Sequence, residues 1–90
     1  MTKEDIKVYI ENMIRPILSK PGDLAIDVMA DELGVLYTLS ANKADFGRII
    51  GKQGGTINAI RTIVRIVGLT YGIRPSVKIP DPDREIKKYE

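Results

Sequence analysis

Ninety residues, 43% hydrophobic and 29% charged, make one small globular domain with no room for a second, and so short a chain supports only a thin core. Lacking Cys and His, the chain has neither disulfides nor the commonest general base and metal ligand, and Ser19, Ser40 and Ser76 have no imidazole to activate them, so neither catalysis, a metal nor a cofactor is expected. The net charge of +2 and pI near 9.0 are mildly basic, which makes the placement of the bases more informative than their sum.

No apolar run approaches the roughly 18 residues of a membrane span. Residues 1–20 show no charged-then-apolar leader, so a cytoplasmic protein without a membrane partner is expected.

The chain opens on Thr-Lys-Glu-Asp, where Thr2 can cap a helix with Asp5 three residues on. Ile6, Ile10, Met13, Ile14 and Ile17 follow at helical spacing, which predicts an amphipathic helix. Pro16 either bends its last turn or ends its regular hydrogen bonding, and Pro21-Gly22 closes the segment. From Leu24 the period falls to two. Ile26, Val28 and Ala30 alternate with Asp27, Met29 and Asp31, and after Glu32-Leu33-Gly34 the pattern resumes with Val35, Tyr37 and Leu39, predicting two antiparallel strands.

Asn42, with Asp45 three positions later, marks a short helix through Phe46, Ile49 and Ile50. A glycine-rich turn comes next, and a longer helix is predicted from about Thr56, with Ile57, Ile60, Val64, Val67 and Tyr71 on one face. Gly72 is preferred over Gly68 as its left-handed stop, with Pro75 barring continuation. Val77 and Ile79 predict a last short strand. The domain therefore runs over residues 1–80, and 81–90 read as a charged, solvated, disordered tail.

The stretch GRIIGKQGGTINAIR, residues 47–61, places four glycines between two apolar segments. Without Cβ atoms at Gly51 and Gly54, a polyanion backbone can approach the main chain, and the N–H groups opening the next helix can meet phosphate oxygens. Lys52 adds a mobile cation, and Arg48 and Arg61 complete the candidate phosphate contacts. Arg61 belongs to a stripe with Asn58 and Arg65, on a face that Gly68 leaves uncluttered; a plain solvated face fits that stripe equally well. Ile49, Ile50 and Ile57 are candidates for an apolar groove floor, although a core would use the same residues. Gly47 permits close approach of a ligand or relieves crowding against a neighbouring helix.

The order helix, strand, strand, short helix, Gly-Lys-Gln-Gly turn, long helix, strand, together with IIGKQGGTINAI, resembles the KH RNA-binding domain in its prokaryotic, type II arrangement. That resemblance implies an α+β, α-β-β-α-α-β fold: a three-stranded mixed sheet with three helices on one face. It also implies a loop, Gly51, Lys52, Gln53 and Gly54 with Gly55 behind it, that clamps about four nucleotides of single-stranded RNA. The low aromatic content argues against a sheet platform that stacks bases.

Over nearly its whole length the chain is similar to the KhpA family of small bacterial proteins made of one KH domain. This implies an RNA-binding protein and RNA chaperone acting with a larger KH-containing partner of the KhpB or Jag type. It further implies roles in post-transcriptional regulation, cell elongation, cell shape, and peptidoglycan and envelope homeostasis. Gly55 is a departure, since such sequences usually carry a base straight after the loop, and it loosens the first turn of the long helix. Ala59, Ile63, Ile66 and Thr70 widen the apolar face of that helix, which predicts a homo- or heterodimer surface unless Ile63 is simply core.

Three other readings use the same residues. A helix-turn-helix DNA reader fits poorly with two strands after the first helix. A nucleotide-binding enzyme lacks the Gly-x-x-x-x-Gly-Lys spacing and would need its loop after a strand. An assembly subunit that has lost RNA binding keeps the same fold.

Overall fold

The computed structural model describes residues 1–79; the segment 81–90, expected as a disordered tail, lies outside them. Helix α1 spans Lys3–Ile14. The Thr2 hydroxyl accepts from the Asp5 N–H at 3.2 Å while the Asp5 carboxylate accepts from the Thr2 N–H at 2.9 Å. This reciprocal pairing satisfies donors that a helix start otherwise leaves without partners. Pro16 ends the regular bonding, and Arg15–Ile17 tightens into a 3₁₀ turn. Ile6, Ile10 and Ile14 are fully buried, as their spacing predicts.

Strands β1 (Ala25–Asp31) and β2 (Gly34–Ser40) form an antiparallel hairpin closed by Glu32-Leu33, with Asp31 opposite Gly34. The Asp31 carboxylate accepts from the N–H groups of Leu33 and Gly34 and so fixes the turn. Strand β3 (Pro75–Lys78) runs parallel to β2 on the side away from β1, which gives a mixed sheet in the order β1-β2-β3.

The register sorts side chains into rows. Val28, Tyr37 and Val77 share one row and Ile26 and Leu39 another, all turned toward the helices, whereas Asp27, Thr38 and Lys78 lie on the open face. Between β2 and β3 come α2 (Phe46–Ile50) and α3 (Gly55–Thr70). The three helices cover one face of the sheet, so the α+β order expected from the sequence is the order found.

Two expectations about the end of α3 need correction. Gly72, at φ +73°, is the left-handed stop as expected: the Ile73 N–H donates to the Gly68 carbonyl at 2.8 Å and the Gly72 N–H to that of Leu69 at 3.4 Å. Gly68 does not open a face for a ligand. It is buried beneath the Pro75 ring, where an added Cβ would lie 2.6 Å from Pro75 Cγ. Tyr71 falls past the last helical residue, loses the helical rotation, and is 52% exposed where the stripe placed it in the core.

Tyr37 anchors the start of α1 to the central strand. Its ring is fully buried and its hydroxyl donates to the Lys3 carbonyl at 2.7 Å. Burial, and then the charge of Glu4, push the phenol up to about 12. A raised value means the neutral phenol is favoured in the fold, so its contribution is complete below pH ~10 and is lost as pH rises through about 12. Tyr37→Phe is expected to cost about 1 kcal/mol by urea denaturation at neutral pH, because the bond that ties the start of α1 to the central strand is lost. The gap between the two proteins should narrow above pH ~10.

Candidate nucleic-acid interface

The turn between α2 and α3 is built from backbone that side chains would obstruct. Gly51 sits at φ +76°, ψ 177°, a region only glycine occupies freely. A Cβ there would also overlap Thr56 Oγ1 and come within 2.7 Å of the Thr56 nitrogen. Gly54 is left-handed at φ +77°. Between them Gln53 is the one non-glycine residue with positive φ among the described residues, at +55°, a conformation that costs an ordinary side chain about 1–2 kcal/mol. The result is a 3₁₀ turn, Lys52–Gly54, with the Lys52 and Gln53 side chains exposed at its tip.

Helix α3 begins at Gly55, one residue earlier than its periodicity predicts, and no side chain caps it. The N–H of Gly54 is used by the Gly51 carbonyl and that of Gly55 by the Lys52 carbonyl. The positive end of a sixteen-residue helix therefore opens directly behind the exposed tip. Gly47 and Gly55 differ from the loop glycines: both are exposed and helical, and a Cβ on either would meet nothing within 4 Å. Gly47 therefore relieves no crowding against another helix. Each costs its helix about 1 kcal/mol relative to alanine and keeps the surface beside the loop bare.

The expected site residues separate by burial. Ile49 is fully buried and Ile57 is 5% exposed, so both support the site from within the core, while Ile50 keeps part of its surface accessible. Arg48 is exposed, with Nε 3.8 Å from the Asp45 carboxylate. Arg61 is exposed too, but its Nε donates to the Val77 carbonyl at 3.0 Å, which ties α3 to β3. Asn58, one turn nearer the loop, has its Nδ2 3.6 Å from where a Cβ on Gly54 would sit.

Asp45, which the sequence suggests as the partner of the Asn42 cap, does something else. Asn42 does start the short helical turn Lys43–Asp45, accepting from the Ala44 N–H. Asp45 is fully buried and reaches back to residues 19 and 20, accepting from the Ser19 N–H at 2.9 Å, the Ser19 hydroxyl at 2.7 Å and the Lys20 N–H at 2.9 Å. The Ser19 bonds first, then that of Lys20 and the charge of Arg48, hold this carboxyl below its ordinary 3.8 against the opposing effect of burial.

A depressed value means the support is present above pH 3.8 and is lost as pH falls below it. Asp45→Ala leaves two buried-side N–H groups and a hydroxyl without their acceptor. It should lower the thermal midpoint by roughly 10 °C at neutral pH, measured by circular dichroism, and the deficit should shrink under strong acid.

Charge was informative in a way the bulk count conceals. Residues 46–79 carry six Lys or Arg and no Asp or Glu, so every acidic side chain of the described residues lies before α2. Among the described residues, the stretch containing the loop is wholly cationic.

On the far side of α3 from Arg61, the expected partner residues Ala59, Ile63, Ile66 and Thr70 are all exposed, Ile63 by 39% and Ile66 by 57%. Ile63 is therefore not simply core. Leu69, 72% exposed beside them, was missed because its place on the helix is offset from that stripe.

The sequence model of the KhpA/KhpB KH domain matches residues 7–79. The chain is 36% identical over 77 residues to the "RNA-binding protein KhpA" of Lactiplantibacillus plantarum, an alignment covering 86% of this chain and 91% of that one. To the protein of that name from Listeria monocytogenes it is 41% identical over 59 residues, 66% of this chain and 78% of the relative. To that from Chlamydia pneumoniae it is 34% identical over 74 residues, 82% and 95%. No helix among the described residues is long and apolar enough to cross a membrane, and no group of three potential metal ligands occurs among them.

Proposed function

Since this chain belongs to the KhpA/KhpB KH-domain family, we propose that it grips single-stranded RNA with the Gly51–Gly54 loop, holding about four nucleotides. Members of this family are not enzymes, and the relatives named above are RNA-binding proteins. The observation that carries the reading is the loop itself. Its glycines are dictated by backbone geometry, its tip exposes Lys52, and the start of α3, which no side chain caps, lies behind it in a stretch, residues 46–79, without one carboxylate.

Phosphates approach Gly51, Gly54 and the bare surface at Gly55, with Lys52 and Arg48 as counter-charges. The bases pass along Ile50, with Ile49 and Ile57 beneath and Arg61 at the side. Titrating isotopically labelled protein with a short oligoribonucleotide tests this: the amides of residues 51–57 should move first. A response confined to other surfaces would overturn it.

One such groove, with three or four cations, binds with modest affinity and a salt slope of about 2–3 log units per log unit. Two linked grooves raise the effective concentration of sites without any new contact. The exposed apolar strip Ala59, Ile63, Ile66, Leu69 and Thr70 supports pairing with a second copy or with a KhpB/Jag-type KH protein. Ile63→Asp is expected to move the solution mass from dimer to monomer in light scattering with the circular dichroism spectrum unchanged. An unchanged mass with the fold intact removes the dimer.

The cellular reading is that of an RNA chaperone in the bacterial cytoplasm. It acts in post-transcriptional regulation of cell elongation, cell shape, and peptidoglycan and envelope homeostasis.

A further inference from the structure

Arg61 is more than one cation among several, because the sheet fixes it. β3 is an edge strand, and the Val77 carbonyl on it accepts from Arg61 Nε at 3.0 Å. A guanidinium carries five N–H donors in one rigid plane. With Nε–H committed to Val77, the outer pair of N–H bonds, one from each Nη, remains as a two-pronged fork whose plane is set by that bond. No carboxylate among the described residues forms a salt bridge with it.

Position matters as much as orientation. Arg61 lies six residues beyond Gly55, roughly 9 Å along the helix at about 1.5 Å per residue. That is within the reach of a strand whose phosphates are held at the loop and which covers about four nucleotides. Gly54, Asn58, Arg61 and Val77 follow one another along this side of α3, from the loop to the edge of the sheet.

We propose that Arg61 reads a base, selecting nucleobases with two adjacent acceptors over those without them. This rests on the RNA reading above and refines it, assigning to a base a side chain whose charge alone would suit a phosphate. Cytosine offers O2 beside N3, and guanine offers O6 beside N7. Adenine sets its amino group next to N1 and N7, and uracil sets N3–H between its two carbonyls. A fork of two donors held in one plane therefore finds a complete match only on cytosine or guanine.

Binding of labelled octaribonucleotides at one fixed salt concentration tests the assignment, comparing U8, A8, C8 and a U-rich strand carrying two guanines. The wild-type protein should bind the C8 or the guanine-bearing strand roughly tenfold more tightly than U8 and A8. Arg61→Met keeps the aliphatic stem and should erase that preference, weakening the favoured strand roughly tenfold more than U8 and A8. Arg61→Lys keeps the charge without the fork and should erase it too.

A uniform loss across all four strands in Arg61→Met, or a preference that survives in Arg61→Lys, overturns the proposal. So does a wild-type protein that binds all four alike. The RNA reading fails separately, if no strand binds the wild-type protein at all. Unfolding midpoints of the variants, measured alongside, show whether the lost Val77 bond alone has loosened β3, an effect that would not sort strands by base.

Discussion

Changing both Lys52 and Gln53 to Asp is expected to weaken binding of a single-stranded octaribonucleotide about 30-fold at moderate salt, with the thermal midpoint little changed. The pair of substitutions replaces one positive charge with two negative ones at the tip of the loop. A unit charge about 6 Å from a phosphate in water-like surroundings is worth about 0.7 kcal/mol. A change of three units is therefore worth about 2 kcal/mol, which is about 30-fold in affinity. Salt screens this, so the gap between variant and wild type should narrow as ionic strength rises.

The fold should survive because both side chains are exposed, and the left-handed backbone at position 53 is one that Asp adopts more readily than most residues. The same variant separates RNA binding from assembly: a subunit that only pairs through the outer face of α3 would keep its mass and its cellular role. Retained RNA affinity in the doubly substituted protein would mean that the strand is held elsewhere.

Gly68→Ala should destabilise the domain by about 2 kcal/mol, even though alanine in place of glycine ordinarily favours a helix by about 1 kcal/mol. The reason is the rigidity of what the new methyl group meets. It would lie 2.6 Å from Pro75 Cγ and 2.7 Å from the Ile73 carbonyl, a ring and a main chain rather than the end of a flexible side chain. Either β3 moves away from α3 or the helix shifts, and both disturb the packing of Val64 and Val77 in the core. For a domain of this size the expected fall in thermal midpoint is roughly 10 °C. A variant as stable as the wild type would show that the α3–β3 connection yields freely.

These two positions mark the line between what could be read in advance and what could not. The rhythm of Ile6, Ile10 and Ile14, the Thr2–Asp5 box, the alternation around Tyr37 and the stop at Gly72 are set by neighbours within a few residues, and each stands where the sequence puts it. The loop was legible because its glycines and flanking isoleucines are contiguous.

Asp45 was misread because its partners lie 25 and 26 residues earlier, and a carboxylate three positions after Asn42 looks the same whether it caps locally or bonds across the fold. Gly68 belongs to the same class: only the return of the chain at Pro75 reveals why it has no side chain. Arg61 was recognised as a cation, but its bond to Val77 depends on which edge of the sheet β3 takes. The absence of carboxylates between residues 46 and 79 is visible in the sequence, in the local charge balance rather than the total.

That lopsidedness bears on kinetics as well as on affinity. A particle with a net charge of only +2 would drift toward a polyanion almost indifferently as a point object. With no carboxylate between residues 46 and 79, it should instead turn in the field of an approaching strand and arrive with the loop leading, so that a larger share of encounters becomes productive. Added salt should then slow capture before it hastens release.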